Sequence, residues 1–205
     1  MRILLYIFIY SYVFMLLCSY VISFINKRDN SFISINNYNK FFIFIVNGLS
    51  LSIIYIFSTS IFDFITKSIL ISFLIIIAYI DFKTSYVYDI ISYPLLIFSI
   101  IIFIINVINN IVIANNLKGI LLGLLVVLIF EKLNYIGQGD VKVFISIFLF
   151  INNNLLCPIF IIIFSMGISG IYGIYLFLVK KVDLNYRKPL CPSIYIATLL
   201  FSVMA

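Results

Sequence analysis

Long apolar runs broken by short polar interruptions set the rhythm of this chain. Taking the interruptions as boundaries gives eight apolar stretches, at 3–25, 41–59, 64–81, 91–109, 117–133, 141–156, 158–179 and 190–205. About 20 mostly apolar residues, rising about 1.5 Å each, carry a helix across a hydrocarbon core roughly 30 Å thick. In lipid every backbone N–H and C=O needs a partner within its own segment, so each stretch predicts a helix. The expected fold is all-α, a polytopic membrane bundle of about eight transmembrane helices, with the fifth and sixth the shortest. The first stretch is longer than the apolar region of a signal peptide and no small-residue cleavage pattern follows it, so it is expected to be retained.

The interruptions leave no room for a soluble domain. The longest, "NKRDNSFISINNYNK" at 26–40, is too short to bury a core of its own. Asparagine clusters at 108–110 and 151–154 predict turns, because Asn favours turns and tolerates left-handed backbone. No internal repeat stands out, which weighs against the inverted-repeat transporter folds.

Composition agrees with the bilayer reading. Hydrophobic residues make up 65% of the 205 positions and charged ones 10%, against roughly half and a quarter in soluble domains. With the N-terminus outside, ten of the thirteen basic residues fall in inward loops, the bias that orients multi-span proteins. The net charge of +6 therefore reports topology and not a nucleic-acid partner, which would call for a clustered basic face with interleaved aromatics. The chain has no histidine, and Cys18, Cys157 and Cys191 form no C-x-x-C pair. That argues against a Cys/His zinc site or a histidine-based triad, so no metal and no cofactor are expected. The cysteines read as small apolar filler in spans or at their ends.

Against this background two carboxylates stand out. Asp81 directly follows "ISFLIIIAYI", and Asp140 directly precedes "VKVFISIFLFI". One is thus expected at the C-terminal end of the third helix and the other at the N-terminal start of the sixth, both at the inner rim. An ionisable group this close to hydrocarbon points to a functional site. Each also has a plainer reading: Asp140 as a helix N-cap, with Gly137 and Gly139 supplying a tight turn, and Asp81 as a side chain reaching from a helix end to water. Their appearance together on one side favours chemistry. Like charges a few ångströms apart do not both ionise cheaply, so such a pair divides into an acid and a base and titrates as a unit. Helix dipoles suggest the division, with the N-terminal end of the sixth helix favouring a charged Asp140 and the C-terminal end of the third a protonated Asp81. Gly137 and Gly139 would let an extended substrate strand lie close to Asp140. Lys142, two positions on, points away from Asp140 and is expected to reach lipid phosphates or to tune the aspartate.

"YIDFKTSYVYD" at 79–89 resembles the first active-site motif of the type IV prepilin peptidases, an Asp followed eight residues later by another. "GQGDVK" at 137–142 is similar to their second motif, Gly-x-Gly-Asp-x-Lys, shared with the wider class of GxGD intramembrane aspartyl proteases. "SFIN" at 23–26, "NGLSLSIIYIF" at 47–57 and "KPLCPSIYIA" at 188–197 resemble further family segments. The resemblance implies that Asp81 and Asp140 are catalytic and that Gly137, Gly139, Lys142 and Asp89 support them, Asp89 by ordering its loop or meeting basic residues of the leader. It implies endopeptidic removal of a short basic leader from membrane-inserted prepilins or pseudopilins, at the cytoplasmic face of a prokaryotic cell membrane. It further implies a division into a reduced N-terminal membrane region, 1–60, and a peptidase core, 61–205. Three departures accompany it: Val87-Tyr88 stands where the family has Ile-Pro, Phe44 stands where an acidic residue precedes "NG", and the first inward loop lacks the two C-x-x-C pairs of bifunctional members. Proteolysis without N-methylation is the resulting expectation. The rival readings are a proton- or ion-coupled transporter, which would place carboxylates near mid-span, and a non-catalytic scaffold that only binds pilins.

Overall fold

The computed structural model describes residues 2–29, 33, 35–109, 114–150, 156–181 and 188–204. Among these it contains eight helices and no strand: α1 (Arg2–Asp29), α2 (Asn37–Phe57), α3 (Ile61–Thr84), α4 (Asp89–Ile108), α5 (Ala114–Lys132), α6 (Gln138–Phe150), α7 (Cys157–Lys180) and α8 (Cys191–Met204). Each apolar stretch of the sequence maps onto one of them. Several helices run past their apolar stretch, because backbone hydrogen bonding continues through polar residues at which hydropathy stops. Thus α3 continues three residues beyond Asp81, and α6 starts three residues before Val141. The turn expected at 151–154 lies outside the described residues. At the other asparagine cluster α4 ends on Ile108, and the N–H of Asn109 closes its last turn on the Ile105 carbonyl at 3.0 Å.

The helices are apolar on the outside as well as within. Leu4, Leu121 and Ile171 are 67%, 66% and 71% exposed, a surface suited to lipid chains and not to water. Among the described residues five helices, α1 to α4 and α7, are long and apolar enough to cross a membrane. The apolar part of α8, Cys191–Ser202, is shorter.

The chain divides into two compact units, Met1–Ile76 and Ile77–Ala205, with α3 running out of the first and ending in the second. In the first unit α1 packs on α2. A buried polar thread accompanies it, in which Ser72 Oγ donates to Asn47 Oδ1 and also meets the Tyr10 hydroxyl, each at 3.3 Å. In the second unit α6 packs against α4, α5 and α8, and α7 joins α5 to α8. The sequence of α6 explains its central place: Val143, Phe144, Ile147 and Phe148 are fully buried, covering more than one face of the helix. Gly123 of α5 makes the close packing there possible. A Cβ at that position would lie 2.6 Å from Pro158 Cβ and 3.1 Å from the Phe148 ring, the small-residue contact that lets membrane helices approach.

Candidate active site

Asp81 sits one turn before the end of α3 and is 4% exposed. Just beyond it the helix is stopped by local chemistry. Thr84 turns its hydroxyl back to the Ile80 carbonyl at 2.9 Å. Ser85 takes up left-handed backbone (φ 52°), its N–H bonded to the Asp81 carbonyl at 2.7 Å. Left-handed residues end helices in this way. The chain then crosses Tyr86, Val87 and Tyr88 to begin α4 at Asp89.

The approach to Asp140 is built just as tightly. After α5 the N–H of Asn134 (φ 60°) bonds the Glu131 carbonyl, and that of Tyr135 bonds the Phe130 carbonyl, at 2.8 and 2.9 Å. This is the paired hydrogen-bond pattern of a Schellman ending, with the Phe130 and Tyr135 rings in edge contact as its apolar clasp. Gly137 then caps α6, its carbonyl accepting the Val141 N–H at 3.1 Å. Asp140 is therefore the third residue of α6 and not its N-cap, which corrects the plainer sequence reading. Gly139 also has a role different from the expected one. A Cβ there would come within 2.6 Å of Val87 Cβ and 3.2 Å of the Val87 carbonyl, so its bareness admits the loop that follows Asp81. The sequence alone suggested space for a substrate strand.

The two aspartates converge, and a third residue joins them. Carboxylate oxygens of Asp81 and Asp140 and the sulfur of Cys191 all lie within 4.8 Å of one another. The Cys191 backbone N–H donates to Asp81 Oδ2 at 2.8 Å, and its thiol donates to Asp140 Oδ1 at 3.1 Å. Cys191 is thus more than apolar filler. "KPLCP" places it as the first residue of α8, where the backbone N–H has no acceptor within its own helix. Asp81 supplies that acceptor across 110 residues of sequence.

Lys142, for which sequence suggested lipid phosphates or tuning of the aspartate, and Asp89, for which it suggested loop ordering or leader contacts, pair with each other. Lys142 Nζ lies 2.5 Å from Asp89 Oδ1 and 4.3 Å from the centre of the Tyr93 ring. The second Asp of the first motif is thereby tied to the Lys of the second. Asp81, Asp89, Gly137, Gly139, Asp140 and Lys142 all line one cleft of about 270 Å³. Lys188, which precedes α8, adds a cation to its wall.

Asp81, Asp140 and Cys191 also form a set of donors that could turn toward a cation. Two carboxylates and a thiol suit a borderline ion such as zinc, one ligand short of a closed tetrahedral site. Binding would require the Cys191 thiol to give up the proton it now directs at Asp140.

The fold is thus an all-helical membrane bundle that brings two carboxylates together from helix ends. The family model of the type IV leader peptidases matches residues 68–174, and the chain belongs to this family of peptidases. The match covers both aspartate motifs and ends before α8. Neither a curated protein nor a solved structure matched the chain.

Proposed function

We propose that this leader peptidase is an aspartic endopeptidase in which Asp81 and Asp140 are the catalytic pair. The observation that carries the reading is their convergence from α3 and α6, with oxygens inside 4.8 Å, on a cleft that holds water-sized volume beside them. One carboxylate, ionised, takes a proton from water as the water oxygen attacks the scissile carbonyl carbon. The other, protonated, hydrogen-bonds the carbonyl oxygen and stabilises the charge that develops there. Collapse of the tetrahedral intermediate breaks the C–N bond, and the proton taken from water passes to the leaving amine.

Site and family together support a substrate class. Prepilin or pseudopilin precursors, helical and already inserted, would present the bond beside the leader at the cytoplasmic face of a prokaryotic membrane. A helix shields its own carbonyls, so the bond is cut only after local unwinding, which a glycine before the cut makes easier. Residues 61–205 would form the peptidase core and 1–60 a reduced N-terminal region, its loop too short and cysteine-free for the N-methylation of bifunctional relatives. Placement of both acids at helix ends, together with family membership, weighs against an ion-coupled transporter.

Co-expression with a prepilin tests the reading. Asp81→Asn and Asp140→Asn are each expected to leave the precursor uncut while accumulating normally in the membrane. Wild-type processing by both variants would end the proposal.

A further inference from the structure

Cys191 touches both aspartates, and nothing in its local sequence announces that. It is 2% exposed, and it uses two different atoms for two different partners. The backbone N–H to Asp81 would survive any substitution except proline, whereas the bond to Asp140 depends on the side chain. Its position is stiff as well. It opens α8, Pro192 fixes the next backbone angle, and the Leu190 carbonyl accepts the N–H groups of Ser193 and Ile194 at 3.0 and 3.1 Å.

We propose that Cys191 is a positioning residue that locks the two aspartates into one working geometry, its amide holding Asp81 and its thiol orienting Asp140. The consequence for catalysis rests on the aspartic-peptidase reading, whereas the hydrogen bond itself does not. A carboxylate that pivots freely loses alignment with substrate, and small misplacements at a reacting centre are costly in rate. A thiol donor directed at Oδ1 of Asp140 fixes that oxygen on a residue that lines the cleft. The charged or titratable groups on that cleft besides Asp140 are Asp81 of α3, Asp89 of α4, Lys142 of α6 and Lys188 before α8. Asp89 and Lys142 are engaged with each other, and the thiol reaches Asp140 from α8.

The full-length protein, reconstituted in lipid nanodiscs with a membrane-inserted prepilin, provides the test. Cys191→Ala should lower kcat by about tenfold, the loss of one hydrogen bond to a charged group. KM should stay within about twofold, and the pH–rate profile should be displaced, because the lost donor faces a titrating pair. Cys191→Ser keeps a donor and should recover to within about threefold of wild type. Infrared spectroscopy reads the bond without any turnover. A low-frequency S–H band, assigned to Cys191 by its absence from Cys191→Ser, should move to higher frequency in Asp140→Asn. A band indifferent to Asp140→Asn overturns the proposal. So does a Cys191→Ala enzyme with wild-type kcat and pH profile, or a Cys191→Ser enzyme as slow as Cys191→Ala with a lowered melting temperature. If Asp81→Asn and Asp140→Asn both cleave normally, the aspartic reading falls separately, and the infrared band alone decides whether the thiol holds Asp140.

Discussion

Val87 and Gly139 meet so closely that a single methyl group on the glycine would lie 2.6 Å from Val87 Cβ. Through this contact the loop that leaves Asp81 rests on the helix that carries Asp140. Gly139→Ala should therefore push α6 away from that loop. An overpacked contact costs about 1–3 kcal/mol, and here the displacement falls on the spacing of the proposed catalytic pair. A loss of cleavage of at least tenfold is expected, with the protein still in the membrane. Leader processing by Gly139→Ala at the wild-type rate would refute the spacing argument.

The Lys142–Asp89 pair should behave as one unit. Asp89 is 59% exposed at its side chain and Lys142 24%, so solvent screens the pair and its contribution to stability is small, of order 0–1 kcal/mol. Its effect on activity should be larger than on melting, because it ties the two motifs together. Asp89→Asn and Lys142→Met are each expected to slow cleavage by roughly two- to tenfold, and the double variant by no more than the worse single one. Multiplicative losses in the double variant would mean the two residues act independently.

Proton traffic through a carboxylate pair gives a rate that climbs with pH as the first proton leaves and declines as the second does. The activity of purified protein on an inserted precursor is expected to follow such a bell. A rate that rises monotonically to alkaline pH would point to a different nucleophile.

The proposed mechanism routes no step through an ion, so removal of divalent metals by a chelator should leave cleavage within about twofold of its starting rate. Added zinc should inhibit, because an ion bridging Asp81, Asp140 and Cys191 would withdraw both carboxylates from proton transfer. Loss of activity on chelation, restored by a metal, would contradict the two-carboxylate scheme.

The helices were the most legible part of the chain. Runs such as "ISFLIIIAYI" have one stable state in lipid, and Asp81 and Asp140 were placed at helix ends because apolar runs end or begin beside them. What stayed hidden depends on contacts between distant segments. Lys142 and Asp89 lie 53 residues apart and Cys191 and Asp81 110 apart, and no periodicity encodes such meetings. Cysteine is ambiguous besides, since the residue that fills apolar gaps can also donate a hydrogen bond. Asp140 was misread as a possible cap because the Schellman turn at Asn134 and the cap at Gly137 set where α6 begins, and both depend on backbone conformation.

None of the described glycines takes a positive φ, so Gly139 serves through its lack of volume and not through its backbone freedom. The nearest atom to a Cβ at position 139 is Val87 Cβ, which alanine retains, so Val87→Ala would leave the contact as tight as before and only a glycine at 87 would clear it. Across the descendants of this enzyme at least one of those two sites should therefore stay bare of a side chain.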